Sequence, residues 1–253
     1  MATTELIIFV HIAKTGGTTL RAILDKQYGL NSLFMYSNKT IGYLDNNVQI
    51  INMLRDNIDT AKCISGHFGF GMTFYEINTT PLLPLIQTHR LVTYISMLRK
   101  PVDRTFSLYH HYKRNNWLHN DVTFESFIKH RLYDLNQQTK YISNSPEPNL
   151  ENAKENIINH FAFVGVTDMY KESLFLMKQR FDWGNFKYNK LGKFIEHSSR
   201  ESISNEFIQI INNDNKLDLN LYNFAKQRLK KKIKLLDTSQ KEALFSFSPF
   251  YPD

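Results

Sequence analysis

The first twenty residues contain the feature that most restricts the fold of this chain. An unbroken apolar run, Leu6–Val10, is followed by Lys14, by the glycine pair Gly16 and Gly17, and then by a helical pattern over Thr18–Asp25. Such a run is typical of a strand that is buried on both faces of a parallel sheet. A glycine-rich turn between this strand and a helix gathers backbone N–H groups and the positive end of the helix dipole. The sequence therefore predicts an anion-binding loop, with Lys14 adding a full positive charge at its mouth.

Further apolar runs alternate with helical patterns along the rest of the chain. We expect strands over Ala61–Ser65, Arg90–Leu98 and Phe161–Val166, separated by helical or polar segments. This alternation is typical of an α/β protein. The expected fold is a three-layer sandwich resembling that of P-loop NTPases, with a central, mostly parallel sheet flanked by helices. The length suits a single domain over residues 1–253.

Several helix ends carry explicit signals. Gly29 is a suitable stop for the first helix, and Pro101 suits the first turn of a helix that continues to Tyr112. Thr123–Lys129 has the pattern of a capped amphipathic helix. These signals predict the bounds of three helices from local residues alone.

Other segments are predicted to be irregular. Asn136–Lys140 is expected to lead into a polar loop, Ser143–Asn149, and Asp182–Arg200 to form a long basic loop. The tail from Phe245 is expected to pack against the fold or to fray.

Charge and cysteine content limit the partners and the compartment. The chain has 31 Lys and Arg against 24 Asp and Glu, a net charge of +7, which favours polyanions such as nucleotides, acidic glycans or nucleic acid. The single cysteine, Cys63, rules out an internal disulfide and fits a reducing compartment. No apolar run approaches the length of a membrane span. We expect a cytoplasmic protein with no membrane partner.

Part of the positive charge lies in one run, Lys226–Lys234. Leu229, Ile233 and Leu236 recur there at helical spacing. We therefore interpret the lysines as the solvated face of an amphipathic helix and expect no nucleic-acid partner. The alternative is a dedicated polyanion-binding surface, which would make the protein a non-catalytic binder.

Three side chains with catalytic potential stand at strand ends. Lys14, His67 and Arg99 each follow an apolar run closely. Since ligands of open parallel sheets bind beyond the carboxyl ends of the strands, we expect these residues to lie together. His67 is flanked by three glycines within Gly66–Gly71, as in a loop whose backbone approaches another group closely. A histidine there is suited to accept a proton near neutral pH.

The position of Lys14 restricts the type of phosphate chemistry. Kinases and NTPases carry a loop of the form Gly-x-x-x-x-Gly-Lys-Ser/Thr, in which the lysine follows the glycines. Here Lys14 precedes Gly16 and Gly17. A nucleotide kinase or NTPase is therefore the alternative enzyme rather than the leading one.

The run Lys-Thr-Gly-Gly-Thr-Thr from Lys14 resembles the 5′-phosphosulfate loop of sulfotransferases that use 3′-phosphoadenosine 5′-phosphosulfate (PAPS). Those enzymes also have a strand-end arginine followed eight residues later by a serine, and Arg99 and Ser107 match this pair. Within the superfamily, three segments resemble the heparan sulfate 2-O-sulfotransferase group, sulfotransferase family 2: Ser65–Phe68, Arg99–Arg104 and Phe163–Thr167. Ser65 stands where that group has a second histidine.

The resemblance implies a PAPS-dependent O-sulfotransferase that acts on a hydroxyl of a carbohydrate by in-line displacement, without metal, and releases 3′-phosphoadenosine 5′-phosphate (PAP). Lys14 would stabilise the leaving phosphate, and His67 would be the catalytic base. The implied donor-binding residues are Lys14, Thr15, Gly16, Gly17, Thr18, Thr19, Arg99 and Ser107, with Ser198, Ser199 and Arg200 in a lid over the adenine and the 3′-phosphate.

Overall fold

The fold is built on a parallel sheet, as seen in a computed structural model that describes residues 5–35, 47–74, 81–86, 88–187 and 203–250. Within these ranges the sheet has five strands in the order β2-β3-β1-β4-β5, and every pairing is parallel. The strands are β1 (Leu6–Val10), β2 (Ser32–Met35), β3 (Cys63–Gly66), β4 (Val92–Leu98) and β5 (Phe161–Val166).

Helices occupy most of the remaining described chain. They are α1 (Gly17–Tyr28), α2 (Asn47–Asn57), α3 (Leu83–Ile86), α4 (Pro101–Arg114), α5 (Phe124–Lys129), α6 (Gln137–Ser143), α7 (Leu150–Asn159), α8 (Tyr170–Arg180), α9 (Asn205–Asp214), α10 (Lys216–Lys234) and α11 (Thr238–Ser246). In the described part of the chain, none of them combines the length and the apolar character needed to cross a bilayer.

β1 lies at the centre of the sheet. Every residue of Leu6–Val10 is buried, and because successive side chains point to opposite faces, both faces of the sheet are covered. Parallel crossovers are right-handed, so α1, between β1 and β2, and α7, between β4 and β5, cover opposite faces. The α/β class with a parallel sheet flanked by helices is confirmed.

The register brings three strand ends to one edge. Val10 pairs with Gly66 of β3 on one side and with Ser96 of β4 on the other. The segments that follow β1, β3 and β4 therefore leave the sheet side by side. This edge is where the sequence predicts the functional residues.

The hydrophobic core surrounds the sheet, and a smaller cluster lies beside it. The smaller cluster joins α4, α5 and α9 through six buried residues: Val102, Leu108, Phe127, Ile128, Tyr133 and Ile211. It fixes α4, which carries several side chains of the candidate site, against the rest of the molecule.

The helix ends predicted from local signals are confirmed. Gly29 ends α1 with a positive φ of 55°. Pro101 occupies the first turn of α4, and the side chain of Thr123 caps α5 by accepting a hydrogen bond from the backbone N–H of Ser126 at 3.1 Å.

The polar loop after Asn136–Lys140 is confirmed over residues 144–149, but it is preceded by a helix, α6, that the sequence analysis does not predict. Gln138 and Thr139 in its first turn are buried and donate hydrogen bonds to the carboxylate of Asp218. A second helix that is not predicted, α11, leads into the tail and begins with a capping box formed by Asp237 and Gln240. Of the predicted loop Asp182–Arg200, residues 188–200 lie outside the described residues.

The interpretation of the basic run as an amphipathic helix is confirmed. In α10, Leu229 is buried, as is Leu236 just beyond its end, while the lysines lie on the outer face. Lys226 forms an ion pair with Asp168, and Lys232 lies over the ring of Phe163. The aliphatic stem of a lysine can cover apolar surface in this way while its charge stays in water.

Candidate active site

The loop between β1 and α1 has an unusual backbone. Lys14 has a φ of 66° and Gly16 a φ of 81°, both in the left-handed region, which few residues other than glycine adopt. Gly16 is the N-cap of α1, yet no side chain caps the helix and its first turn contains no acidic residue. The first N–H groups of α1 are therefore left without a helical partner, beside a lysine, as an anion site requires.

Both glycines of the loop are required by their surroundings. A Cβ on Gly16 would lie 2.9 Å from the ring of Tyr170, whose hydroxyl donates to the carbonyl oxygen of Gly16 at 2.8 Å. A Cβ on Gly17 would overlap the imidazole ring of His11. The loop is thus packed from two sides, by α8 and by the end of β1.

The three threonines of the loop have different environments. The Thr15 hydroxyl is buried and donates to the carbonyl oxygen of Ile12 at 2.9 Å, so it stabilises the loop itself. Thr19 is buried and hydrogen-bonded to Tyr170. Thr18 is exposed at the start of α1, where its hydroxyl can reach a ligand.

Two arginines hold the carbonyl oxygens of the loop. Arg99, at the end of β4, donates from its guanidinium to the carbonyl oxygen of Lys14 at 3.2 Å. Arg104, on the first turn of α4, is only 2% exposed and donates from Nε to the carbonyl oxygen of Ala13 at 3.0 Å. Arg104 also bonds to the side chain of Gln137. The structure therefore brings Arg99 to the Lys14 loop, as the sequence predicts.

A buried network fixes the main chain of Arg99. The Gln138 amide accepts from the Arg99 N–H at 2.8 Å and donates to the Arg99 carbonyl oxygen at 2.9 Å. Gln138 in turn donates to the buried carboxylate of Asp218, which also accepts from the backbone N–H of Thr139 at 2.7 Å. Residues from α6 and α10 thus support the strand end that carries Arg99.

Positive charges surround the half-buried Lys14. Burial, with the nearby charges of Arg114 and Arg99, lowers the pKa of Lys14 from 10.5 to about 8. Removal from water and neighbouring cations both disfavour the protonated amine. An anion bound among these groups would have the opposite effect on the Lys14 pKa.

His67 has a defined tautomer. It follows β3, and its Nδ1 lies 2.7 Å from the carbonyl oxygen of His11. Because a carbonyl oxygen only accepts, Nδ1 carries the proton and donates, and the neutral ring keeps a lone pair on Nε2. An imidazole oriented in this way can accept a proton at Nε2.

His11 occupies the space between His67 and the loop. Its ring stacks on His67, with centroids 4.4 Å apart, and on Phe9, with centroids 5.2 Å apart. Burial, followed by the charges of His67, Arg21 and Lys14, lowers the pKa of His11 well below its usual value. Its buried Nδ1 has no hydrogen-bond partner among the described residues.

One face of α4 contributes further groups. Ser107, His111 and Arg114 recur at the spacing of one helix face, and Ser107 is buried. Burial, together with the charges of Lys14, Arg114 and His67, lowers the pKa of His111 to about 4, so this ring is neutral near pH 7. His111 therefore lies within electrostatic range of both Lys14 and His67.

No protein-family model matches the sequence, and no curated protein matches it. Solved structures match it at a distance. Mouse sulfotransferase SULT7A1, complexed with PAP, is 15% identical, with 97% of this chain and 84% of that chain covered and a TM-score of 0.47. A sulfotransferase from Alicyclobacillus acidocaldarius is 12% identical, with 92% and 98% covered and a TM-score of 0.47. Retinol dehydratase in a complex with retinol and PAP is 13% identical, with 96% and 80% covered and a TM-score of 0.39.

These similarities identify neither a residue role nor an acceptor in this chain. The narrower resemblance to the heparan sulfate 2-O-sulfotransferase group, and the roles it implies, stay predictions.

The predicted site residues are in part brought together. Lys14, Arg99 and His67 lie at adjoining strand ends, with the loop glycines and threonines between them. Ser107 lies on α4 beside His111. The predicted lid residues Ser198, Ser199 and Arg200 lie outside the described residues.

The sequence analysis missed four side chains of this region: His11, Arg104, His111 and Arg114. No role is predicted there for His111, yet it lies within electrostatic range of Lys14 and His67. One signal was available, because His111 and Arg114 share the helical face of Ser107. The role of His11 depends on its contact with a glycine on the far side of the loop, which no local pattern indicates.

Proposed function

We propose that this protein is a PAPS-dependent O-sulfotransferase that transfers a sulfuryl group to a hydroxyl of a saccharide. The observation that carries the proposal is the convergence of a cationic, uncapped helix N-terminus with an oriented histidine at one edge of the sheet. The first feature suits a phosphosulfate donor, and the second suits removal of a proton from an acceptor hydroxyl.

The donor side fits a nucleotide that carries several negative charges. No side chain caps the N-terminus of α1, and the loop backbone is close to Lys14. Arg99 adds charge from the neighbouring strand end. In this proposal the 5′-phosphate binds at the loop, and Arg99 with Ser107 holds the 3′-phosphate.

Bound PAPS would supply an activated sulfuryl group, whose bond to the 5′-phosphate oxygen breaks as a bond to the acceptor oxygen forms, leaving PAP. The Lys14 ammonium would stabilise the charge that develops on the phosphate oxygen. His67 would accept the acceptor's hydroxyl proton at Nε2, because Nδ1 already donates to the carbonyl oxygen of His11.

The order of residues in the loop favours sulfuryl over phosphoryl transfer. A lysine ahead of the two glycines is the arrangement of the PAPS loop, and a lysine behind them is that of kinases and NTPases. The pairing of Arg99 with Ser107 supports the same choice. Magnesium-dependent ATP turnover without PAP binding would favour the kinase alternative.

Calorimetric titration with PAP tests the donor site. We expect the wild-type protein to bind PAP, and Lys14→Ala and Arg99→Ala each to weaken binding by about tenfold or more, the usual effect of losing a charged hydrogen bond. Lys26→Ala is the matched control, since Lys26 is an exposed lysine in the last turn of α1. Absence of wild-type binding, or no effect of either change, would refute the proposal.

Transfer from labelled PAPS tests the acceptor. A panel of neutral oligosaccharides, uronic-acid polysaccharides and phenols separates saccharide from aromatic hydroxyls. Label transfer to phenols alone would keep the reaction but exclude a saccharide acceptor. The saccharide with the highest turnover then serves for the kinetic measurements below.

A further inference from the structure

His11 is in contact with both halves of the candidate site. Its ring stacks on His67 at a centroid distance of 4.4 Å and an interplanar angle of 29°, and it occupies the space in which Gly17 would otherwise carry a side chain. We propose that His11 is a positioning residue that sets the catalytic base and the donor loop relative to each other. The roles of His67 as catalytic base and of the loop as donor site rest on the proposed function.

The main chain of His11 fixes His67. The His11 N–H donates to the carbonyl oxygen of Gly66 at 3.0 Å, extending the pairing of β1 with β3 by one residue. The His11 carbonyl oxygen accepts from Nδ1 of His67 at 2.7 Å. His11 is thus bonded both to Gly66, the last residue of β3, and to His67, the residue that follows it. The second of these bonds places the proton of the neutral His67 ring on Nδ1.

The ring of His11 adds a second restraint. Stacking on His11 holds the plane of the His67 ring, and the ring of Phe9 also stacks on His11, at 5.2 Å and 13°. On its edge the ring meets the first residue of α1, where any Cβ would overlap it. A displacement of His11 would therefore move the base and the N-terminus of α1 together.

The charges around His11 suit this role. It faces His67 from β3, Lys14 from the loop and Arg21 from α1. His111 and Arg114 of α4 complete the group near Lys14 and His67. Near the charges of Lys14 and Arg21 and away from water, His11 stays neutral, so it adds no charge beside His67 when that ring takes up a proton.

The unpartnered nitrogen argues against a role in packing alone. Nδ1 of His11 is buried without a partner among the described residues, and a buried polar atom in that state costs stability. An apolar side chain would fill the same space without that cost. A histidine at this position therefore calls for an explanation beyond the core.

Nitrogen-detected NMR of the imidazole rings provides the test, because it reads tautomer and pKa for single histidines once His67→Asn has assigned the signal. In the wild type we expect His67 to be protonated at Nδ1 when neutral. His11→Ala and His11→Asn keep the backbone carbonyl but remove the stacking that holds the His67 ring in its plane, so this preference should weaken and the His67 pKa should shift. His11→Phe, which keeps a stacking ring, should retain the wild-type tautomer. Phe127→Leu, a core change in the smaller cluster, is the matched control for lost stability.

A double-mutant cycle supplies the kinetic readout. With labelled PAPS and the saccharide selected above, His11→Ala should lower kcat about a hundredfold, the scale of a misplaced reacting group, with less change in the KM of the saccharide. In a His67→Ala background it should lower kcat no further. Its affinity for PAP should fall in both backgrounds, because the loop contact is lost.

Two results would overturn the proposal. One is an unchanged His67 tautomer and pKa in folded His11→Ala and His11→Asn. The other is fully additive losses of kcat in the cycle, as expected for general destabilisation. If the wild type binds no PAP, the proposed function fails, yet the NMR measurement still decides whether His11 orients His67.

Discussion

Lys14 combines two features that each cost free energy. Its φ of 66° is rare outside glycine, at a cost of about 1 to 3 kcal/mol, and its amine is half-buried beside Arg99 and Arg114. The guanidinium of Arg99 holds the carbonyl oxygen of this same residue. The loop is therefore preorganised at some cost in stability, and a bound polyanion would relieve the repulsion.

The lowered pKa of Lys14 predicts a pH dependence of PAP binding. Bound PAP is an anion and favours the protonated Lys14 amine, so binding raises the Lys14 pKa above its value of about 8 in the free protein. Near pH 8, where about half of the free protein has a neutral Lys14, binding therefore takes up roughly half a proton. The contribution of Lys14 to affinity should be level below about pH 7 and should fall as the pH rises through 8, well before an ordinary lysine titrates. Calorimetry in buffers of different ionisation enthalpy measures this uptake.

The control for that measurement is Lys14→Met, which should bind PAP weakly and without the uptake at pH 8. Uptake of the same size in Lys14→Met would assign the proton to another group.

His67 is expected to act in turnover and not in donor binding. His67→Ala should retain PAP affinity and lose turnover by at least about a hundredfold, the usual weight of a general base. His110→Ala serves as the control, because His110 packs on Phe106 at 4.5 Å and is assigned no role. Unchanged turnover in His67→Ala would remove it from the mechanism.

Residues with a local signature could be predicted, and those defined by distant neighbours could not. Lys14 and Arg99 follow apolar runs, which marks them as strand-end residues. Arg104 reads as an ordinary helix-start residue in the sequence. Its burial and its bond to the carbonyl oxygen of Ala13 exist only because β4 lies beside β1.

At the scale of elements, α6 is held by a partner far along the chain. Asp218 of α10 accepts hydrogen bonds from the backbone and side chain of Gln138 and from the backbone and hydroxyl of Thr139. The helix N-terminus is thereby capped in the interior by another helix. The sequence analysis does not predict α6, because the partner of the polar residues at its start lies in α10.

Asp218→Ala should destabilise the fold and weaken the donor site together. Losing this carboxylate leaves its buried donors unpaired, a cost of about 3 to 5 kcal/mol in the free energy of unfolding. PAP affinity should also fall, because Gln138 loses its partner Asp218 and then positions the main chain of Arg99 less firmly. Urea denaturation and calorimetry measure the two effects.

The exposed carboxylate of Asp56 provides the comparison, and Asp56→Ala should change stability by less than about 0.5 kcal/mol. A similarly small effect of Asp218→Ala would mean that α6 does not depend on this network.

The sequence contains a signal for the start of α11, a helix that the sequence analysis does not predict. Asp237 followed by Gln240 has the spacing of a capping box, and both hydrogen bonds are formed in α11. The aromatic residues of the tail drew the interpretation toward packing. Phe247 does pack on the core, while Phe245 is 87% exposed.

For the whole molecule, the class of fold could be predicted and the strand order could not. Buried apolar runs indicate strands, and their alternation with helices indicates a parallel sheet. Which strands become neighbours depends on tertiary packing, and the runs themselves do not distinguish central β1 from edge strand β5. The meeting of three strand ends could be expected from the α/β class, but their side-by-side order required the structure.

The central place of β1 has a consequence for how the chain is made. Of the five described strands it is synthesised first, yet its partners among them are β3 and β4, which begin at Cys63 and Val92. Such long-range pairings form slowly, because the intervening chain must be closed into a loop first. Until β4 has been synthesised, the apolar run of β1 is exposed to aggregation. The loop that follows β1 is thus expected to become ordered only after β4 has been synthesised, although it is made well before that strand.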